Sequence, residues 1–238
     1  MNIIIPLGTG SRWNNNELRY CLRSIEKHLT GWEKIVIVGV LPDWIKENDR
    51  LVFIQANDKP GAQHKEENIH RKSMKFIDSV YAGESFLFMN DDHFLLQDFE
   101  AAKFPYHHKG KLGATIISTP LRNPYHKSLV NTYKRTGNAY NHDTHCPIIY
   151  RSDIYKRIDI PFPKYGYCIK SLYCHYAGIE GEYYPDCKLG SLDSKEAIHG
   201  AIDGRPYFSI GNKAIGEALR EVMEELYPVP SAFEIDLK

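Results

Sequence analysis

The chain has no surplus of charge of either sign. Its 238 residues hold 30 Lys and Arg against 30 Asp and Glu, and a protein that coats nucleic acid indiscriminately through phosphate contacts needs a basic excess. No apolar run approaches the ~18 residues of a membrane span. The opening MNIIIPLGTG lacks the basic flank and the long apolar stretch of a secretory leader. Cysteine is sparse and odd in number, at Cys21, Cys146, Cys168, Cys174 and Cys187. That pattern suits reduced thiols better than a disulfide framework, so a cytoplasmic protein is expected. Internal repeats, low-complexity tracts and a Ser/Gly linker are missing. So are a P-loop, a GxGxxG turn, a GxSxG elbow and an HExxH helix, which removes the common hydrolase and nucleotide-loop templates.

What remains is ordinary globular usage, 42% hydrophobic and 25% charged, enough to bury a sizeable core. Asn2–Ile5, Lys34–Val40, Leu51–Ile54 and Ser85–Met89 are short, β-branched or aromatic runs that read as buried strands. Between them Leu18, Cys21, Leu22, Ile25 and Leu29 recur at helical spacing, with Asn14–Asn16 as a candidate cap. His64–Val80 reads as a second helix, with Ile69, Ser73, Phe76, Ile77 and Val80 facing inward. Strands alternating with helices predict a mostly parallel, Rossmann-type α/β sheet. Further on, Ala114–Ser118 predicts a strand and Tyr125–Lys134 a helix. Asn212–Tyr227 predicts a terminal helix stopped by Pro228.

FLFMNDDHF is the strongest local signal. Asp91 and Asp92 follow the carboxyl end of a strand, where ligands bind in open α/β sheets. Two ionised carboxylates so close repel one another unless a cation or hydrogen-bond donors intervene. A hard cation such as Mn²⁺ or Mg²⁺ with nucleotide phosphates meets that need, whereas a capped turn is the plainer alternative. Lys65, Asn68, Lys72 and Lys75, with Arg71, form a stripe able to neutralise phosphates or to stand as a solvated face. Leu7, Gly8, Thr9 and Arg12 sit in a loop that Gly lets approach a ligand closely. His145, within HDTHCP, is a candidate general base, phosphate donor or ligand. Cys168, Cys174, His175 and Cys187 match no common zinc spacing. Finally, 101–142 contains no Asp or Glu but holds Lys103, Lys109, Lys111, Arg122, Lys127, Lys134, Arg135 and four His. It reads either as a solvated surface or as a strip that could follow a phosphate backbone.

In order, ELRYCLRSIEKHL, KIVIV, Pro42 with Trp44, FLFMNDDHF and His145-Cys146-Pro147 resemble the Stealth family of sugar-phosphate transferases, which includes the lysosomal-enzyme GlcNAc-phosphotransferase. The closing YFSIGN…LYPVPSAFE is similar to phage-borne homologues. The family's opening strand runs into a Trp-Val-Asp-like motif, where this chain has IIIPLGTGSRW. The resemblance implies one GT-A-like domain over 1–238, a nucleotide-diphospho-sugar transferase fold. Residues 1–100 would form the nucleotide-sugar-binding half, and 101–238 a C-terminal acceptor-side elaboration. It implies a metal-dependent glycosyltransferase or sugar-phosphate transferase with a UDP-sugar donor. It also implies Asp91 and Asp92 as metal or catalytic carboxylates, His145 as the catalytic-region histidine, and Lys170 or Arg205 as a later basic residue. The expected acceptor is a glycan hydroxyl or, alternatively, a hydroxylated base in phage DNA. A non-catalytic nucleotide- or glycan-binding module is the contrasting class.

Overall fold

A computed structural model describes residues 1–121 and 123–235. Along the chain lie β1 (Asn2–Pro6), α1 (Asn16–His28), β2 (Ile35–Gly39), β3 (Leu51–Gln55), α2 (Lys65–Ile77), β4 (Ser85–Phe88) and β5 (His93–Leu95). They are followed by α3 (Leu112–Ser118), α4 (Pro124–Thr136), β6 (Ile148–Arg151), α5 (Ser152–Lys156) and α6 (Ile169–Ala177). The chain then forms β7 (Lys188–Leu189), α7 (Lys195–Ile202), β8 (Tyr207–Ile210) and α8 (Glu217–Leu226). Among the described residues no helix is long and apolar enough to cross a membrane.

The central sheet has the order β3-β2-β1-β4-β6. Its first four strands are parallel, and β6 runs antiparallel against β4. The expected parallel α/β sheet is thus present. From β1 the chain steps outward to β2 and β3, then returns to the other side of β1 for β4. This reversal leaves the loops after β1 and β4 facing one another at the carboxyl edge, the crevice such sheets offer to ligands.

Side chains alternate across a strand, so each strand feeds two cores. Ile3, Ile5, Ile35, Ile37 and Leu87 pack with Leu18, Leu22 and Ile25 of α1 and with Leu219 and Val222 of α8. Ile4, Val36, Val38, Phe86 and Phe88 pack on the opposite face with Phe76 and Ile77 of α2 and Leu172 and Tyr173 of α6. A second small sheet, β7-β8-β5, continues from the β4 end. It ties the late chain to the carboxylate turn.

Four local expectations are corrected. Ala114–Ser118 is helical, as part of α3. Leu112 packs with Leu129 of α4, and Ile116 and Tyr125 pack against that cluster. The hydroxyl of Thr119 donates to the Thr115 carbonyl at 2.7 Å; helix packing overrides the β propensity of a five-residue run. The start of α1 is not capped by an Asn side chain. Asn14 and Asn15 have φ of 52° and 58°, while Ser11 Oγ accepts from the amides of Trp13 and Asn15 at 3.0 and 2.8 Å. The last helix begins at Glu217, after turns, and not at Asn212. Val80, expected inward, lies beyond α2 and is exposed.

The chain end is stapled to α1 by charge. Glu234, 4% exposed, accepts from Arg23 Nε at 2.7 Å and Nη2 at 2.8 Å, and from Arg19 Nη1 at 2.7 Å. Glu234→Ala therefore leaves two largely buried guanidinium groups without this carboxylate. Breaking such a pair from one side costs about 3–5 kcal/mol. Urea unfolding should show that loss as a lower midpoint, while Glu33→Ala at an exposed pair should change it little.

Candidate functional site

A cleft of about 950 Å³ opens at the carboxyl edge of the sheet. One wall is the loop after β1. Gly39, at the end of β2, lies so close to it that a Cβ there would meet the Leu7 carbonyl oxygen at 2.2 Å, so glycine is required for the approach. Lys72 of α2 is buried beneath this loop. Its Nζ donates to the Leu7 carbonyl at 2.6 Å and pairs with Asp58 Oδ1 at 2.5 Å. Asp58 Oδ2 in turn accepts from the amide of Thr9 at 3.2 Å. Asn68 accepts from the amide of Lys59 and donates to its carbonyl, both at 2.9 Å. The α2 stripe thus holds the cleft walls from below, and only part of it is open to a ligand.

The facing wall is the turn after β4. The Met89 amide donates to the Ile4 carbonyl at 3.0 Å, extending the β1–β4 pairing into the turn. Buried His93 accepts the Asn90 amide on Nδ1 at 3.2 Å. Burial holds this imidazole well below its ordinary range, so it stays neutral. Asp91 and Asp92 emerge between these anchors. Ser209 of β8 donates to Asp92 Oδ2 at 3.4 Å, and Lys188 of β7 lies 3.7 Å from it. Asp92 Oδ1 and Glu17 Oε2, from the first turn of α1, are buried without a hydrogen-bond partner. Burial, Asp92 and Glu17 together push the Asp91 carboxyl up to about 8.

A third wall comes from the later chain. His145, with φ +53°, places its ring at the cleft, and its Nδ1 lies 2.8 Å from Asp186 Oδ1. Asp143 lines the cleft among His145, Lys109, Lys170 and Lys65; burial opposes its charge, yet these cations hold it well below the carboxylate range. Buried Lys170 donates to the Cys146 carbonyl at 2.5 Å. Burial disfavours the charge on Lys65, but Glu66, Asp92, Asp143 and Asp91 outweigh it and raise the ammonium. Glu66 is pushed up to about 7, chiefly by burial. Tyr125 and Tyr165 add aromatic surface.

Of the residues expected from sequence, Gly8, Thr9, Lys65, Asn68, Lys72, Asp91, Asp92, His145 and Lys170 converge on this cleft. Leu7 is buried under the loop, Arg12 and Arg71 point to solvent, and Arg205 is elsewhere; none of these lines the cleft. The acid-free run does not form one open strip. Lys109 turns inward to Asp186, Lys103 pairs with Glu100 and Arg135 donates to the Tyr176 hydroxyl. Arg122 lies outside the described residues. Sequence reasoning missed Glu17, Glu66, Asp186 and Lys188. Glu17 looks like an ordinary helix-start acid, and Asp186 lies 41 positions from the histidine it meets.

Among the described residues no cluster of three or more His, Cys, Asp and Glu has metal-holding geometry. The donor chemistry still fits one hard cation. Asp91 and Asp92 have oxygen atoms short of positive charge, and Mg²⁺-type ions bind through one or two carboxylates plus substrate phosphates. The five cysteines are free and buried; Cys168 lines the cleft and Cys21 packs behind the carboxylate turn.

No protein-family description and no curated protein matches the sequence. Solved structures do. The galactosyltransferase LgtC, in complex with donor and acceptor sugar analogues, has a TM-score of 0.50 at 9% identity, covering 98% of this chain and 97% of that one. An active-site mutant of LgtC has 0.52 at 10% identity, covering 95% of each chain. The chain therefore has a mixed α/β, GT-A-like glycosyltransferase fold with a mostly parallel central sheet.

The raised Asp91 carboxyl has a consequence for stability. Its folded value lies above the unfolded value of about 4, so the folded chain holds a proton that the unfolded chain has lost. In EDTA, stability should fall as pH rises from about 5 to 8, and Glu66 adds to the trend. Asp91→Asn should flatten the slope and raise Tm at pH 8, each kcal/mol regained appearing as about 2–4 °C. Mn²⁺ should raise the Tm of the native chain and not that of the variant.

Proposed function

We propose that the protein transfers a sugar, or a sugar phosphate, from a nucleotide-diphospho-sugar to a hydroxyl acceptor, with a UDP-sugar as donor and Asp91 and Asp92 holding a divalent cation. The observation that carries this reading is the under-neutralised carboxylate turn at the end of β4, inside a cleft of about 950 Å³ at the strand reversal of a GT-A-like sheet. A non-catalytic module has no use for that arrangement, because unneutralised carboxylates in a half-buried turn lower stability. The finer likeness to Stealth-type transferases belongs to the same proposal. It is supported by the convergence of the adjacent pair Asp91 and Asp92 with His145, far downstream in sequence, on one cleft.

In this reading residues 1–100 and 101–238 are the donor and acceptor halves of one domain. The loop Gly8–Ser11 lies against the nucleotide, and Lys72 and Asp58 keep it in place. A bound cation supplies Lewis-acid neutralisation of the charge that develops on the leaving phosphate. Lys65 and Lys188 approach the same charge from α2 and β7, and their preorganisation in a partly enclosed cleft strengthens the effect. The acceptor oxygen attacks the anomeric carbon, or the phosphorus, while the bond to the departing nucleotide breaks. The acceptor's proton passes to His145. Tyr125 and Tyr165 provide ring faces on which a sugar can stack, and the charges of 101–142 are partly consumed internally. Both points favour a glycan acceptor over duplex DNA.

A screen of nucleotide sugars for Mn²⁺-dependent hydrolysis, which needs no acceptor, tests the reading. Asp92→Asn should reduce turnover by about 10²–10³, with unchanged circular dichroism. Binding of UDP that is indifferent to Mn²⁺, with no donor consumed, would instead establish a binding module. Arg205→Ala, outside the cleft lining, should leave turnover within about twofold of the native chain.

A further inference from the structure

Asp186 sits behind His145 and does not itself line the cleft. Both of its carboxylate oxygens are engaged. Oδ1 meets His145 Nδ1 at 2.8 Å and accepts from the amide of Lys188 at 3.0 Å. Oδ2 accepts from Lys109 Nζ at 2.6 Å. Burial opposes ionisation, but His145 and Lys109 prevail and hold the carboxyl down at about 2. An ionised carboxylate only accepts hydrogen bonds, so the proton of the neutral ring stands on Nδ1 and leaves Nε2 as the free base. Among the described residues Nε2 has no hydrogen-bond partner, and it is not among the sealed polar atoms. The left-handed backbone of His145, φ +53°, is one that a non-glycine residue keeps only where its surroundings impose it.

We propose that Asp186 is a positioning residue for the transfer step: it holds His145 by Nδ1–H so that Nε2 faces the acceptor hydroxyl, with Lys109 bracing the carboxylate from behind. The chemistry of this inference rests on the transferase reading; its geometry does not. As the acceptor oxygen bonds to the donor's anomeric carbon or phosphorus, its proton moves to Nε2. The electron pair of the breaking bond leaves with the nucleotide. The resulting imidazolium is neutralised by Asp186, which takes up no proton itself. This also accounts for Lys109. In sequence it belongs to a basic surface run, yet its ammonium is turned inward, 5.4 Å from the centre of the Tyr125 ring.

Two measurements test the proposal on the full chain. In the first, ¹⁵N-histidine NMR near pH 8 reads the tautomer of the ring whose signals vanish in His145→Gln. The Nδ1–H form is expected in the native protein and should be lost or mixed in Asp186→Asn. A native ring protonated on Nε2 overturns the proposal. In the second, turnover is compared across a double-mutant cycle. Asp186→Asn should lower kcat by about 10²–10⁴ with donor KM within about twofold. In a His145→Ala background the same change should cost less than about threefold. An equal loss in both backgrounds would make Asp186 a loop staple only, and the proposal fails. If the native chain turns over no nucleotide sugar, the transferase reading falls and the NMR result alone decides whether the His145–Asp186 pair is set as described.

Discussion

Asp91 and Asp92, in the turn after β4, and Glu17, reaching them from α1, bring three carboxyl groups together with too little positive charge around them, and much of the architecture follows from holding them there. Left alone, such groups repel and draw protons, as the raised Asp91 carboxyl shows. The turn is therefore anchored from several directions. The Ile4 carbonyl takes the Met89 amide, neutral His93 takes the Asn90 amide, and Cys21 Sγ lies 3.5 Å from the Asn90 carbonyl. The arrangement lowers the stability of the fold; in the proposed reading that cost readies the site for a cation and phosphates, a trade familiar where function needs an unfavourable local charge.

Around that turn, charge is sorted into two kinds. Lys72, Asp58, Arg19, Arg23 and Glu234 neutralise one another and act as fasteners, the first two beneath the loop after β1 and the rest between α1 and the chain end. Lys65 and Lys188 face the cleft beside carboxylates, whereas Lys170 lines it from a buried position with its ammonium on the Cys146 carbonyl. Formal type does not separate these groups, since lysines occur in both. Burial and the nearest partner do. Lys72 and Lys65 stand about two helical turns apart on α2 and yet fall into different classes, because only Lys72 reaches under the loop.

The parallel sheet and the carboxylate turn were legible because their signals are local. The apolar runs of Ile35–Gly39 and Ser85–Phe88 carry strand signals in their own residues, and the two adjacent acids past the second are visible without a partner. The helical nature of Leu112–Ser118 was not legible, since it depends on packing against α4, and the isolated window favours a strand. The stripe on α2 was visible as a pattern but not in its meaning. Asn68 and Lys72 clamp main chain rather than ligand, which depends on a loop folding over them. Arg12 and Arg205 show the opposite case: each has chemistry suited to phosphate, but neither lines the cleft.

By itself the sequence determined the alternation of strands and helices, the two-faced apolar pattern of the sheet, and the acids that end β4. All of these follow from residue periodicity and from chemistry confined to neighbours in the chain. Only the tertiary structure decided which charged groups meet. Glu17 joined Asp91 through the packing of α1, and Asp186 reached His145 through the small sheet that returns β7 and β8 to the end of β4. The physical reason is that electrostatics depends on distance in space and on exclusion of water. Neither is encoded by spacing along the chain, so a basic run with no acids in it could still send Lys109 inward to a carboxylate from far downstream.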